Sequence, residues 1–178
     1  PYQIEDTDNA NVLLRAEVLN QLSHSTKPLL IVSYPEALFE KVITRKQLEK
    51  NTLKIQKGDS LTIDFLNEVL FSYHFNRTDF VTEPGKFSVR GGIVDVFSFS
   101  NNEPYRIEFF GNEVDSIRTF DVESQLSTAQ LSKITIIPNV ENKESDEIRQ
   151  SFLEYISEQT LFIGKDMGFF DAKIEKLF

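Results

Sequence analysis

Residues 86–121 read KFSVRGGIVDVFSFSNNEPYRIEFFGNEVDSIRTFD, and they carry the clearest structural pattern of the chain. Apolar and polar side chains alternate in four short runs, over 87–90, 93–99, 105–110 and 113–118. Such alternation predicts β-strands, because successive side chains of a strand point to opposite faces of the sheet. Gly111-Asn112 joins the last two runs, and this pair is typical of a tight hairpin turn. The stretch therefore predicts an antiparallel sheet.

A short strand and an amphipathic helix precede this sheet. Leu53 and Ile55 alternate with polar neighbours, and apolar side chains then recur at helical spacing between Ile63 and Tyr73. We therefore expect residues 51–127 to form a small antiparallel α+β module.

Both flanks of the module show the order of helices and buried strands that is typical of a parallel α/β layer. The expected fold class is thus α/β, a parallel platform contributed by residues 1–50 and 128–178 with the α+β module inserted into it. The predicted platform elements are a helix over 11–22, a buried strand at 29–32, a helix from 33 to 43, a strand at 134–137, helices over 144–158 and 166–177, and residues 161–163 between them.

The composition excludes several classes of protein. The chain has 178 residues, 40% of them hydrophobic, and it has no cysteine. Disulfide scaffolds, thiolate metal sites and cysteine nucleophiles are therefore excluded. No apolar run approaches the roughly 18 residues that cross a bilayer, so we expect a soluble, cytoplasmic protein without a membrane partner. Because the chain begins at Pro1 and has its only methionine at 167, we also expect it to be a fragment of a longer protein.

Charge argues against one class of partner. The formal net charge is −9, and an acidic chain repels the phosphate backbone of nucleic acids. Broad, nonspecific binding of DNA or RNA is therefore not expected.

Motifs for cofactor chemistry are missing from the sequence. Gly164-Lys165 comes nearest to a phosphate-binding loop, but Gln159 stands where the first glycine belongs and Asp166 where a hydroxyl residue should follow. His24 and His74 have no partner at the spacing of metal ligands. We expect no catalytic residue, no cofactor and no metal in this chain.

Residues 82–97, TEPGKFSVRGGIVDVF, and 104–121, PYRIEFFGNEVDSIRTFD, resemble the domain shared by bacterial transcription-repair coupling factors and the B component of the excision nuclease. The continuation over 120–125, FDVESQ, is more similar to the coupling factors. The resemblance implies that the flanking α/β platform is a degenerate helicase-like domain and that the β-rich module is inserted into it.

The resemblance also implies a function. In that family the inserted module docks onto the A component of the excision nuclease, which links a stalled RNA polymerase to DNA repair. A noncatalytic docking region is therefore expected here. The ATP-dependent DNA translocase and the regions that contact RNA polymerase and DNA would lie outside this chain.

Four residues carry over from the family as candidates for partner binding. Arg77 stands where the family has a docking arginine before the Pro-Gly turn, and Arg90 matches the arginine of the Val-Arg-Gly pattern. Ser88 stands where the B component has a further arginine, and Phe97 matches a family aromatic residue.

Strand parity gives a separate argument about the same residues. Within 86–90 the alternation directs Arg90 outward, and Asp95 suggests that its side of the next strand faces water, which would place Phe97 beside the solvent. Ordinary structural roles stay open at this point. Arg90 could pair with an acid such as Glu108 across strands, Phe97 could be core, and Asp95 could bond backbone amides.

Two other functional classes also stay open. One is a DNA-engaging fragment of a helicase like the B component, which requires basic or aromatic strand-separating elements. The other is a small hydrolase that uses scattered carboxylates. Docking through arginines predicts an acidic partner surface and binding that weakens with added salt.

Overall fold

The structure is a computed structural model that describes residues 14–39, 41–99, 101–139, 149–164 and 168. The helices are α1 over 14–24, α2 (Pro35–Phe39), α3 (Arg45–Lys50), α4 (Ile63–Ser72) and α5 (Phe152–Tyr155). The strands are β1 (Lys41–Ile43), β2 (Leu53–Gln56), β3 (Asn76–Arg77), β4 (Lys86–Arg90), β5 (Ile93–Val96), β6 (Tyr105–Phe110), β7 (Glu113–Phe120), β8 (Ser127–Leu131), β9 (Lys133–Ile136) and β10 (Arg149–Ser151).

A six-stranded sheet is the centre of the fold, with its strands in the order β3-β4-β5-β6-β7-β8. Neighbouring strands are antiparallel except β3 and β4, which are parallel. The hairpin between β6 and β7 turns at Gly111, whose φ of 61° lies in the left-handed region that favours glycine. The strands and the hairpin predicted from the alternating pattern are thereby confirmed.

One face of this sheet, called the helix face below, packs against α4. Residues in register across the central strands place their apolar side chains on this face, and the ring of Phe87 contacts that of Phe71 on α4 at 5.2 Å between centroids. Helix α4 begins where the Thr62 side chain accepts the N–H of Phe65 at 3.1 Å. The buried side chains shared between sheet and helix are Leu66, Leu70, Phe87, Val94, Val96, Ile107 and Ile117.

The opposite face, called the charged face below, is partly covered. Ser88, Asp95, Arg106, Arg118 and Gln130 are in register on adjacent strands and form a polar row across it. Beside the row a second apolar cluster contains Val81, Phe97, Phe120 and Val122.

The burial of two residues on this face corrects two expectations from strand parity. Asp95 is fully buried, so it does not mark a solvent-exposed position on that face. Phe97 is buried too, in the second apolar cluster, and the expectation that it lies at the solvent side is wrong. Alternation predicts which residues share a face, but the burial of a face depends on chain segments that lie elsewhere in the sequence.

The module closes at its base through a two-stranded antiparallel sheet. β2 pairs with β9, and Leu53 lies opposite Ile136. The predicted end of the module at residue 127 is therefore too early, because β8 pairs with β7 in the large sheet and β9 pairs with β2. Strand 134–137, assigned to the platform from sequence, belongs to this module.

The flanking segments differ more from the prediction. Leu29–Val32 is not a buried strand: Leu30 is 94% exposed and Val32 93% exposed. No strand among the described residues pairs with this segment, and Ile31 is its only partly buried side chain. Residues 161–163 are exposed in the same way.

The predicted helix over 33–43 is also shorter than expected. It ends at Phe39, and β1 then pairs antiparallel with β10. Of the helix expected over 144–158, residues 144–148 lie outside the described residues, 149–151 are a strand, and among the described positions only 152–155 are helical. The helix expected over 166–177 falls almost wholly outside the described residues. Within the described parts of the chain, β3–β4 is the only parallel pair, so a parallel helicase-like platform is not confirmed.

The Pro84-Gly85 turn generates a test of the fold. Gly85 has a φ of 80°, and a Cβ there would lie 3.0 Å from the ring of Phe99, whereas Gly58 has a φ of 88° and open space. We expect alanine at either position to lose about 1–2 kcal/mol of folding free energy from the left-handed backbone. Gly85→Ala should lose about 1–3 kcal/mol more because it overpacks the ring. Urea unfolding of both variants measures the difference, and equal losses would contradict the contact.

Candidate functional site

Arg90 lies at the end of β4, next to the edge strand β3. Its side chain is 40% exposed, yet three contacts fix it. One guanidinium nitrogen, Nη1, donates to the backbone carbonyl of Asp79 at 2.8 Å, and the other, Nη2, donates to Oδ2 of Asp95. The guanidinium carbon also lies 5.6 Å from the ring centre of Phe80. Arg90 is therefore a partly exposed cation with a defined position.

Asp95 is the buried centre of this arrangement, with 0% exposure. Arg106, opposite Asp95 on β6, binds both of its oxygens, through Nε to Oδ1 at 2.8 Å and through Nη2 to Oδ2 at 2.9 Å. An unpaired carboxylate would be costly at this depth, and the paired geometry satisfies both oxygens. The hydrogen bond with Asp95 raises the pKa of Arg106 above its ordinary value.

Arg106 also connects the sheet to the turn that follows β7. Its Nη1 donates to the carbonyl of Gln125 at 3.1 Å, and its guanidinium carbon lies 4.4 Å from the ring centre of Phe120. Gln125 itself has a φ of 59°, a left-handed conformation within the turn. The turn over 121–126 is thus fixed against the charged face by the same side chain that binds Asp95.

A second ion pair lies farther along the charged face. Arg118 pairs with Glu108, and the Ser116 hydroxyl donates to Oε2 of Glu108 at 2.6 Å. The hydrogen bond from Ser116, followed by the charge of Arg118, lowers the pKa of Glu108 below its ordinary value of 4.5. The Arg118–Glu108 pair and the Asp95 cluster together contain three arginines and two acidic side chains, so they carry one excess positive charge.

Arg77 is placed differently from Arg90. It is exposed on β3 and pairs in register with Phe87, so it lies on the helix face, whereas Arg90 belongs to the charged face. No described residue makes a hydrogen bond or ion pair with its guanidinium. The register also offsets the two arginines by three residues, about 10 Å along the strand. They therefore share one sheet edge but lie on its opposite faces.

The other two candidates from sequence are not on the surface. Ser88 is buried opposite Asp95 in the register, and its hydroxyl has no hydrogen-bond partner among the described residues. Phe97 is buried in the second apolar cluster. Both are predicted from sequence to contact a partner, and their burial means that neither side chain is exposed in the chain alone.

The structure adds residues that sequence reasoning missed. Phe80 is 63% exposed and lies beside Arg90, and Asp95 pairs with two arginines instead of bonding backbone amides. The alternative that Arg90 pairs with an acidic residue across strands is confirmed, but the residue is Asp95 instead of Glu108. Glu108 pairs with Arg118. The sequence signal for this ion pair is the aspartate within the apolar run Ile93–Val96, because a charged residue is found in a buried strand only when it is paired.

Comparison with known proteins identifies the family of this chain. A family described as the UvrB interaction domain matches residues 53–141, which include every strand from β2 to β9. The chain belongs to this family. The match spans the base, the large sheet and the edge that carries Arg77 and Arg90.

Curated relatives give the same result. Transcription-repair-coupling factors are similar to this chain at 31% identity in Haemophilus influenzae, 35% in Bacillus subtilis and 38% in Staphylococcus epidermidis. The similarity covers 78%, 70% and 76% of this chain, respectively. The chain spans only 10–12% of the length of these relatives. The resemblance inferred from sequence is confirmed.

None of the described helices is long and apolar enough to cross a membrane. No group of three or more His, Cys, Asp or Glu side chains in the described ranges could hold a metal ion.

The ion pair at Glu108 generates a pH prediction. Because its pKa is lowered in the folded chain, the ionised carboxylate stabilises the fold above its unfolded pKa, and this stabilisation is lost as the pH falls through the folded pKa. We expect Ser116→Ala to raise the pKa of Glu108 toward 4.5, since the hydroxyl is the largest cause of the lowering. NMR titration of the Glu108 carboxyl carbon measures this. Ser132→Ala, at an exposed serine outside the contact, should leave the pKa unchanged, and an unchanged pKa in Ser116→Ala would refute the assignment.

Proposed function

We propose that this chain is the noncatalytic docking region of a transcription-repair coupling factor, and that it recruits UvrA, the A component of the excision nuclease, in transcription-coupled nucleotide excision repair. The match of the UvrB interaction domain to residues 53–141 carries the proposal. That range contains the complete module from β2 to β9, including the arginines at its edge. The chemistry of that edge supports the same function.

The contact is centred on the edge formed by β3 and β4. Arg90 and the exposed ring of Phe80 lie side by side, and an arginine next to an aromatic residue is a frequent composition for residues that dominate binding energy. A guanidinium makes charge-assisted hydrogen bonds to carboxylates, so the partner surface is acidic. Arg77 lies on the other face of the edge, and a partner that contacts both arginines therefore reaches around β3.

Electrostatics gives this contact its selectivity. The chain as a whole is acidic, with a net charge of −9, so it repels an acidic partner except where arginines are concentrated. The pair of arginines at the β3–β4 edge thus directs the partner to one side of the sheet.

The remaining functions of a coupling factor belong to other parts of the protein. ATP-dependent translocation on DNA and contact with RNA polymerase are assigned to regions outside this chain. The docking region itself needs no cofactor and acts in the cytoplasm, where the repair proteins meet DNA.

The docking site predicts the effect of two substitutions. Arg77→Glu reverses a free charge at the edge, and Arg90→Gln removes the other cation without placing a carboxylate beside Asp95. We expect each to weaken binding to purified UvrA by about tenfold or more, as at other interface hot spots. Titration calorimetry at fixed ionic strength measures the loss, and thermal unfolding of each variant checks that the fold is retained.

A charge-matched control separates local from global electrostatics. Lys133→Glu changes the net charge as much as Arg77→Glu, but Lys133 lies on β9, outside the six-stranded sheet. It should leave the affinity within about twofold, and wild-type binding should weaken as salt is added. Equal losses at 77 and 133, or binding that is indifferent to salt, would refute docking led by arginines. Salt-sensitive binding of the chain to single-stranded DNA, with no binding to UvrA, would instead favour the helicase fragment.

A further inference from the structure

The buried carboxylate of Asp95 has a role in docking that follows from its geometry. We propose that Asp95 is a positioning residue, which orders the Arg90 guanidinium at the sheet edge before a partner arrives. The inference rests on the proposed docking function, since it concerns how one anchor of that site is prepared.

Arg90 is unusual among exposed arginines because three contacts restrict it. Asp95 fixes Nη2, the carbonyl of Asp79 fixes Nη1, and the ring centre of Phe80 lies 5.6 Å from the guanidinium carbon. A free arginine loses rotamer freedom when a partner immobilises it, and that loss weakens binding. A side chain that is already ordered avoids most of this cost.

Ordering does not exhaust the binding capacity of Arg90. A guanidinium has five N–H groups, and the two described hydrogen bonds use two of them. The others have no partner among the described residues, and 40% of the side chain is exposed. Arg90 can therefore still bind a carboxylate of the partner.

The contact that orders Arg90 does not neutralise the site, because Asp95 also pairs with Arg106. The single negative charge of Asp95 lies between two guanidinium groups, so the group of three keeps one positive charge. Arg106 binds both oxygens of Asp95 and is largely buried, so it fixes the carboxylate from below while Arg90 remains at the surface. Asp95 thus acts as a fixed bridge between a structural arginine and a docking arginine.

A double-mutant cycle tests the proposal. Asp95→Asn keeps the size of the side chain but removes its charge and makes the chain less acidic. If Asp95 acted only through net charge, this change would strengthen binding to an acidic partner. We expect it to weaken binding to UvrA roughly three- to tenfold, the equivalent of ordering one long side chain on binding.

The same change in an Arg90→Gln background distinguishes positioning from general structural support. Asp95→Asn should then have no further effect on affinity, because the side chain that it positions is gone. An equal loss in both backgrounds, or no loss in either, would overturn the inference. If Arg90→Gln alone leaves binding intact, the proposed anchor fails first, and the cycle shows this directly.

A measurement on the unaltered chain covers the case in which Asp95→Asn does not fold. NMR relaxation of the arginine Nε–Hε groups reports side-chain order, and Arg77, which has no described partner, is the matched control. We expect an ordered Nε–Hε group in Arg90 and a mobile one in Arg77 in the free chain. Equal mobility of the two groups would overturn the inference whether or not UvrA binds.

Discussion

The buried ion cluster of Asp95, Arg90 and Arg106 is the constraint on which the module depends. A carboxylate with no exposure is stable only when its charge is compensated, and two arginines from neighbouring positions supply that compensation. Arg106 extends the cluster to the turn after β7, and Arg90 extends it to the segment before β4. The charged face is therefore assembled from remote segments by a few polar contacts, while the helix face is assembled by apolar packing.

The sequence predicts the positions of the strands well, but it predicts poorly which of their side chains are buried. Alternation and the Gly111-Asn112 turn identify β4 to β7, because both signals are local. Burial is not local: Phe97 packs with Val81 and Val122, which alternation cannot place, and Asp95 is buried between two arginines. The same limit explains Leu29–Val32, whose apolar run predicts a buried strand although no described neighbour pairs with it.

The candidate site was only partly accessible from sequence. Resemblance to a family predicts Arg77 and Arg90 as partner-binding residues, and both lie at one edge of the sheet. Their placement on opposite faces follows from the parallel pairing of β3 with β4, which no sequence pattern indicated. Phe80 was missed because an aromatic residue in a loop carries no periodicity. Together these residues make the edge a compact site with a cation on each face.

Hydrogen exchange of the chain alone and in complex with UvrA tests most directly whether the β3–β4 edge is where docking occurs. Backbone amides over 77–80 and 88–92 should exchange more slowly in the complex, because the partner covers both faces of this edge. Amides of β8, at the other edge of the same sheet, should be unaffected and serve as an internal reference. Slowed exchange confined to β8, or to the exposed segments at 29–32 and 161–163, would contradict docking through the arginine edge.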